Sequence, residues 1–261
     1  MDYLEINKKA WNNKVDAHVA SEFYQNESFI KGRNSLNQIE LDLLGDVSGL
    51  RILHLQCHFG QDTISLSRMG AQATGIDLSD EAIDKGKELA EQCGTETQFV
   101  CSDVYSLPEN LKGQFDLVFT SYGTIGWLPD LDRWAGVVDH FLAPKGRFLI
   151  VEFHPAIWMF DDDFNEVKYS YFNNGTIQEE EQGTYADKEA ELSQEYISWN
   201  HDLAEVMSSL LEKGFNLKHF GEYDYSPYNC FNETEEFEPG KFRIKKWGNK
   251  LPMVYSILME K

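Results

Sequence analysis

Three acids and one turn are the groups of this chain best placed to do chemistry. Asp77 ends a short apolar run, Ala73-Thr74-Gly75-Ile76, seventeen residues after Gly60. Gly60 closes a turn that follows another apolar run, Ile52 to Leu55. An acid in that place can accept from both hydroxyls of a ribose, and the turn lets a ligand approach the backbone closely. Asp103, in Cys101-Ser102-Asp103-Val104, comes one βα unit later. It can accept from an adenine amino group while the Val104 amide faces the ring. Asp116 stands before its apolar run, which predicts a capping or structural role. A dinucleotide turn wants G-x-G-x-x-G, and this turn has one glycine where that pattern has three. The spacing predicts a nucleoside site without a pyrophosphate cradle.

The elements that must position these residues alternate regularly. Strands are predicted at Arg51–Leu55, Ala73–Ile76, Thr97–Cys101, Phe115–Thr120 and Arg147–Phe153, with helices at Gln61–Met69, Asp80–Cys93 and Leu131–Leu142. Ser79 is a natural N-cap and Gly94 a natural C-terminal residue for the second helix. Leu117-Val118-Phe119 and Phe148-Leu149-Ile150-Val151 are continuous apolar runs, as strands buried on both faces require. Residues 1–48 read as polar and helical, with Asn34 or Ser35 as a cap. After residue 154 the alternation breaks into a Tyr-, Asn- and Gly-rich stretch holding Asp161–Asp163 and Glu179–Glu181, where short strands are predicted at Glu166–Phe172 and Gln194–Ser198. A helix capped by Asn200 follows, then strands at Leu217–Tyr223 and Met253–Met259. The expected fold is α/β: a doubly wound, Rossmann-like, mostly parallel seven-stranded sheet, helices on both faces and a final antiparallel strand pair. The expected organisation is a helical lid at 1–48 and one domain at 49–261, with a substrate-cap insertion at about 155–198.

Charge narrows the partners. The 44 acidic and 23 basic residues give a formal charge of −21, which disfavours nucleic acid and anionic membranes and favours a small molecule. The only basic cluster is Lys241–Lys250. The four cysteines include no C-x-x-C pair and read as reduced thiols. The first residues carry no signal-peptide pattern, and no apolar run is long enough for a membrane span. A cytoplasmic location is expected; oligomeric state is not legible.

Motif order, strand-end acids and the final strand pair resemble the class I S-adenosylmethionine-dependent methyltransferases, closely over about 49–154 and in outline beyond. More narrowly, His54-Leu55-Gln56-Cys57-His58-Phe59-Gly60-Gln61-Asp62-Thr63 resembles a bacterial small-molecule subset of that class. So do Ser35-Leu-Asn-Gln-Ile-Glu-Leu, Ser121-Tyr-Gly-Thr-Ile-Gly-Trp-Leu-Pro-Asp-Leu and Trp199-Asn-His. The resemblance implies methyl transfer from S-adenosylmethionine to a small acceptor. It implies cofactor contacts from His54, Gln56, Cys57, His58, Gly60 and Asp62 in the first motif, and from Asp77 and Leu78 after the second strand. Ser102, Asp103 and Val104 serve the third strand, Ser121 and Tyr122 the fourth. The class usually has an acid where His54 stands and glycines where Gln56 and His58 stand. Neutral His54, or Asp62 in the next helix, is then left to meet the methionine ammonium.

Transfer from a sulfonium depends mainly on alignment, so no invariant catalytic signature is expected. His154, after the fifth strand, is the candidate base. Trp11, Tyr24, Phe29, Trp158 and His201 are expected to line the substrate under an aromatic lid. Asp161–Asp163 has no His or Cys partner at metal spacing, so no metal is expected. The competing expectations are a non-catalytic nucleoside- or S-adenosylmethionine-binding protein and an NAD-dependent oxidoreductase.

Overall fold

The computed structural model describes residues 2–261. Three helices come first: α1 (Tyr3–Ala20), α2 (Asn26–Ile30) and α3 (Gln38–Leu44). The alternation then runs β1 (Arg51–Leu55), α4 (Gln61–Arg68), β2 (Gln72–Asp77), α5 (Asp80–Cys93), β3 (Gln98–Cys101), α6 (Leu107–Asn110), β4 (Phe115–Ser121), α7 (Leu131–Phe141) and β5 (Leu142–Phe153). A hairpin of β6 (Ile177–Gln182) and β7 (Ser193–Ser198) interrupts it before α8 (Leu203–Leu211) and β8 (Asn216–Tyr223). A second hairpin, β9 (Thr234–Glu238) and β10 (Lys241–Ile244), precedes β11 (Val254–Glu260).

The central sheet has seven strands in the order β3-β2-β1-β4-β5-β11-β8. All neighbours from β3 to β5 are parallel, and β11 runs antiparallel to both β5 and β8. This is the doubly wound sheet expected from the alternation. The order reverses beside β1, so the carboxyl ends of β1, β2 and β4 open one crevice. Strand periodicity divides the core: Phe148 and Ile150 pack with Trp134, Val138 and Val206, whereas Leu149 and Val151 pack with Ile39, Leu44 and Ile52. Both faces are thereby sealed, and the strand ends are held rigidly.

Local chemistry fixes the helix ends. Ser79 Oγ accepts from Ala82 N at 3.0 Å, and Gly94 ends α5 in the left-handed region. Three expectations are corrected. Helix α3 is capped at Asn37, whose own N–H donates to Glu40 Oε1 at 3.3 Å, while Asn34 and Ser35 lie upstream. Helix α8 is capped by Asp202, and Asn200 instead donates to the carbonyls of Trp158 and Ser170. Glu166–Phe172 forms no strand: Lys168 and Tyr169 fold back onto the Met159 carbonyl, and the hairpin strand starts at Ile177.

Candidate functional site

The turn after β1 is unusual chemically. Gln56 (φ 54°) and His58 (φ 51°) both adopt the left-handed conformation that glycine takes without strain. Tethers hold it. Cys57 N donates to the Ile76 carbonyl, Gln56 Nε2 to the Thr124 carbonyl and His58 N to Asp77 Oδ2, each at 2.8 Å. Gly60 closes the turn at φ 77°, where a Cβ would stand 2.3 Å from the Phe99 ring. Asp77 Oδ1 also accepts from Ser79 N at 2.9 Å. Burial pushes the Asp77 carboxyl up to about 6, although these backbone donors favour its charged form.

The strand ends, N-terminal helices and both hairpin-bearing segments enclose a cavity of 890 Å³. All thirteen residues expected to contact a cofactor border it, from His54 to Tyr122. Asp103 borders it while also capping the next turn, its Oδ1 accepting from Tyr105 N at 2.9 Å and Ser106 N at 3.1 Å. His54 is buried, with Nδ1 at 2.9 Å from Thr63 Oγ1 and Nε2 unpartnered. Burial holds its pKa down at about 3, so the ring is neutral.

Helix α1 covers the cavity. The Trp11 ring packs on His58 at 5.4 Å and on Trp127 at 5.3 Å. His18 Nδ1 lies 2.9 Å from His58 Nε2, and burial holds these rings near 2 and 3, so one neutral imidazole donates to another. Lys14, 3% exposed at its side chain, pairs with Glu181 of β6 at 2.6 Å. Asn7 exchanges two bonds with Ile197 of β7, at 2.8 and 2.9 Å. Helix and hairpin therefore close the site as one body. Tyr24 borders the cavity, and Trp158 stands at its rim, 40% exposed.

Two expected residues, His154 and Phe29, lie off the cavity, and a third, His201, borders it with both ring nitrogens engaged. His154 lies outside the cavity lining: its Nε2 donates to Glu222 Oε1 at 2.9 Å and its Nδ1 accepts from Ala156 N at 3.1 Å. That ring ties the end of β5 to β8, and its proton is committed. Phe29 is fully buried beneath the Arg68 guanidinium, 4.6 Å away, because α2 turns its apolar side toward α4 and α5. His201 borders the cavity, but its Nε2 meets the Leu128 carbonyl at 2.8 Å and its Nδ1 meets Glu205 at 2.9 Å. Asp116 makes a two-point pair with Arg51 at the opposite end of the sheet, as its position at the start of β4 implied.

Other residues carry the site without having been anticipated. Glu152, inside the apolar β5 run, is buried and accepts from Thr124 N and Oγ1 at 2.7 Å, and also from Gly123 N, fixing the turn after β4. An acid within a buried strand was the available signal. Glu40 accepts from the Tyr122 hydroxyl at 2.9 Å. Tyr228 and Phe231 reach the cavity from the segment between β8 and β11, where the sequence shows no regular period. Among the described residues, no group of three or more His, Cys, Asp or Glu is arranged to hold a metal. The basic run Lys241–Lys250 stays outside the cavity, with Lys241 paired to Glu238 at 2.7 Å and Arg243 paired to Asp224.

The fold defined by this sheet, with its final antiparallel pair, is the Rossmann-like fold of the S-adenosylmethionine-dependent methyltransferases. A family described as "Methyltransferase domain" matches residues 52–146, from β1 into β5. An uncharacterized methyltransferase of Synechocystis is 33% identical over 133 residues, covering 50% of this chain and 60% of that protein. A demethylmenaquinone methyltransferase of Lactococcus lactis is 30% identical over 136 residues, covering 50% and 52%. The chain thus spans between half and two thirds of these relatives' length. An S-adenosylmethionine-dependent methyltransferase structure from Mesorhizobium loti superposes with a TM-score of 0.59 at 18% identity, covering 89% of this chain and all of that one. Magnesium protoporphyrin IX methyltransferase of Synechocystis, solved with S-adenosylmethionine bound, superposes at 0.54 with 14% identity, covering 100% and 98%.

Proposed function

We propose that this protein transfers a methyl group from S-adenosylmethionine to a small-molecule acceptor. The observation that carries the proposal is the buried Asp77 carboxylate, fixed by two backbone donors at the carboxyl end of β2 and bordering the same cavity as Asp103 and Val104. The residues fit the cofactor. Asp77 keeps lone pairs for ribose hydroxyls, Leu78 and Val104 offer apolar walls for a base, and the buried Gln56 Oε1 has no partner of its own. The methyltransferase match over 52–146 supports the same conclusion. When bound, the cofactor supplies an activated methyl group on a sulfonium. The chain's own task is to align the acceptor and exclude water, which the Asn7 and Lys14 contacts of α1 with the β6–β7 hairpin accomplish.

Residues 1–48 act as the lid and about 155–198 as the substrate cap, joined by the segment between β8 and β11. The acceptor is small, neutral or cationic, with an apolar part. Glu179, Glu180 and Asp162 border the cavity beside Trp127, Trp158 and Phe231, an acidic rim around aromatic walls. The formal charge of −21 steers cations inward and slows anions. The protein works in the cytoplasm. Among the described residues no helix is long and apolar enough to cross a membrane.

Calorimetry tests the proposal. S-adenosylhomocysteine should bind in the micromolar range and NAD should not bind, while Asp77→Ala should weaken the former by about 2–3 kcal/mol, the scale of lost hydrogen bonds to a charged group. Preference for NAD, or an unchanged dissociation constant in Asp77→Ala, contradicts it.

A further inference from the structure

We infer that Arg33 and Asp62 form an opposite-charge pair that reads the amino-acid end of the cofactor, Asp62 with Gln56 taking the ammonium and Arg33 the carboxylate. The inference rests on the methyltransferase reading and assigns a job that His54 does not perform.

His54 is neutral, engaged with Thr63 and packed on Phe119 at a ring distance of 4.8 Å. A buried ammonium needs an opposite charge as well as an acceptor, because desolvating a cation against a neutral dipole leaves most of its cost standing. The charge is supplied by the helix that follows the turn. Asp62, in the first turn of α4, borders the cavity and has neutral partners, with Ser121 Oγ at 3.4 Å and the Ser35 side chain. Gln56 borders the same space, and with its Nε2 tied to Thr124, its buried Oε1 is left as an acceptor with nothing to accept.

Arg33 comes from the segment between α2 and α3, which packs beside the start of α4. Among the described residues its partners are all neutral: Ser28 Oγ at 3.1 Å, the Tyr24 carbonyl at 2.7 Å, Gln61 Oε1 at 3.3 Å and the Asn34 carbonyl at 3.4 Å. These contacts fix the guanidinium, which also borders the cavity. Each charge is felt at the other, yet the two make no direct ion pair. Opposite charges that border one cavity without pairing to each other suit a zwitterion, one end to each. Arg33 is anchored to the Tyr24 carbonyl beside α1, so the carboxylate contact also fastens the lid-bearing segment over the cofactor.

Three ligands separate the possibilities in calorimetry: S-adenosylhomocysteine, its decarboxylated analogue that keeps the amine, and 5′-methylthioadenosine, which lacks the whole amino-acid end. Wild type should bind S-adenosylhomocysteine at least about tenfold more tightly than the decarboxylated analogue, and that one more tightly than 5′-methylthioadenosine. Arg33→Gln should erase the first gap, and Asp62→Asn the second. Both variants should bind 5′-methylthioadenosine as wild type does, which also shows that they fold. The ligand comparison on wild type stands even where a variant fails to fold. Equal affinity of wild type for all three ligands overturns the inference while leaving the methyltransferase reading intact. So does an equal loss for all three ligands in either variant. Binding of none of them by wild type overturns the methyltransferase reading and the inference with it.

Discussion

Glu40 offers a prediction whose size follows from the structure. It is a fully buried carboxyl on α3 that accepts from Tyr122 Oη and, through its other oxygen, from Asn37. Burial first, and the nearby Asp62 charge second, push it up from 4.5 to about 7. A carboxyl raised in the folded state binds its proton more tightly there than when unfolded. Its stabilising contribution is therefore complete below pH ~4.5 and is lost as pH rises through about 7. Between pH 5 and pH 8 the linkage integral over those two values gives a loss of about 2–3 kcal/mol from this group. Glu40→Gln keeps the shape and an acceptor oxygen but cannot ionise. Urea unfolding of both proteins across that range should show wild type losing about 2–3 kcal/mol more than the variant. The variant should be the relatively more stable protein at pH 8. Parallel pH profiles would refute the argument, because they would mean that Glu40 titrates alike in both states.

Other expectations follow from single contacts. Lys14→Met strands the Glu181 carboxylate beneath α1 and should cost about 3 kcal/mol in urea unfolding, while the double change with Glu181→Leu should recover most of it. A double variant as unstable as the two single losses added together would sink that account. His154→Ala should lower stability by about 1–2 kcal/mol, through the lost tie to Glu222 and the unpartnered Ala156 N, and leave S-adenosylhomocysteine affinity unchanged. Loss of turnover at unchanged stability would restore His154 as a base. A chelator should leave activity intact; abolition by chelator with recovery on a divalent ion would contradict the donor geometry.

The sheet was legible because buried parallel strands leave continuous apolar runs and because caps such as Ser79 and Gly94 punctuate the helices between them. The crevice was legible for the same reason: Asp77 and Asp103 stand at strand ends, and topology brings strand ends together. The cover was less so. Tyr228 and Phe231 reach the cavity from a stretch without period, and in the β9–β10 hairpin there exposed, half-buried and buried residues do not alternate cleanly. Distance in sequence hid the rest. Lys14 finds Glu181 and Asn7 finds Ile197 across most of the chain, and no local pattern announces either contact. His154 shows the converse: a histidine after a strand end invites a catalytic role, while its two partners and its place off the cavity suit a brace. Phe29 shows that an aromatic in a lid segment can face inward, onto an arginine, away from any ligand.

The central claim is that Asp77, Asp103 and the turn at Gln56–Gly60 form an S-adenosylmethionine site. A crystal grown with S-adenosylhomocysteine tests it most directly. Density for the nucleoside should lie in the crevice, with ribose hydroxyls on the Asp77 carboxylate and the base between Leu78 and Val104. An empty crevice at saturating ligand, or the ligand bound elsewhere on the molecule, would contradict the account.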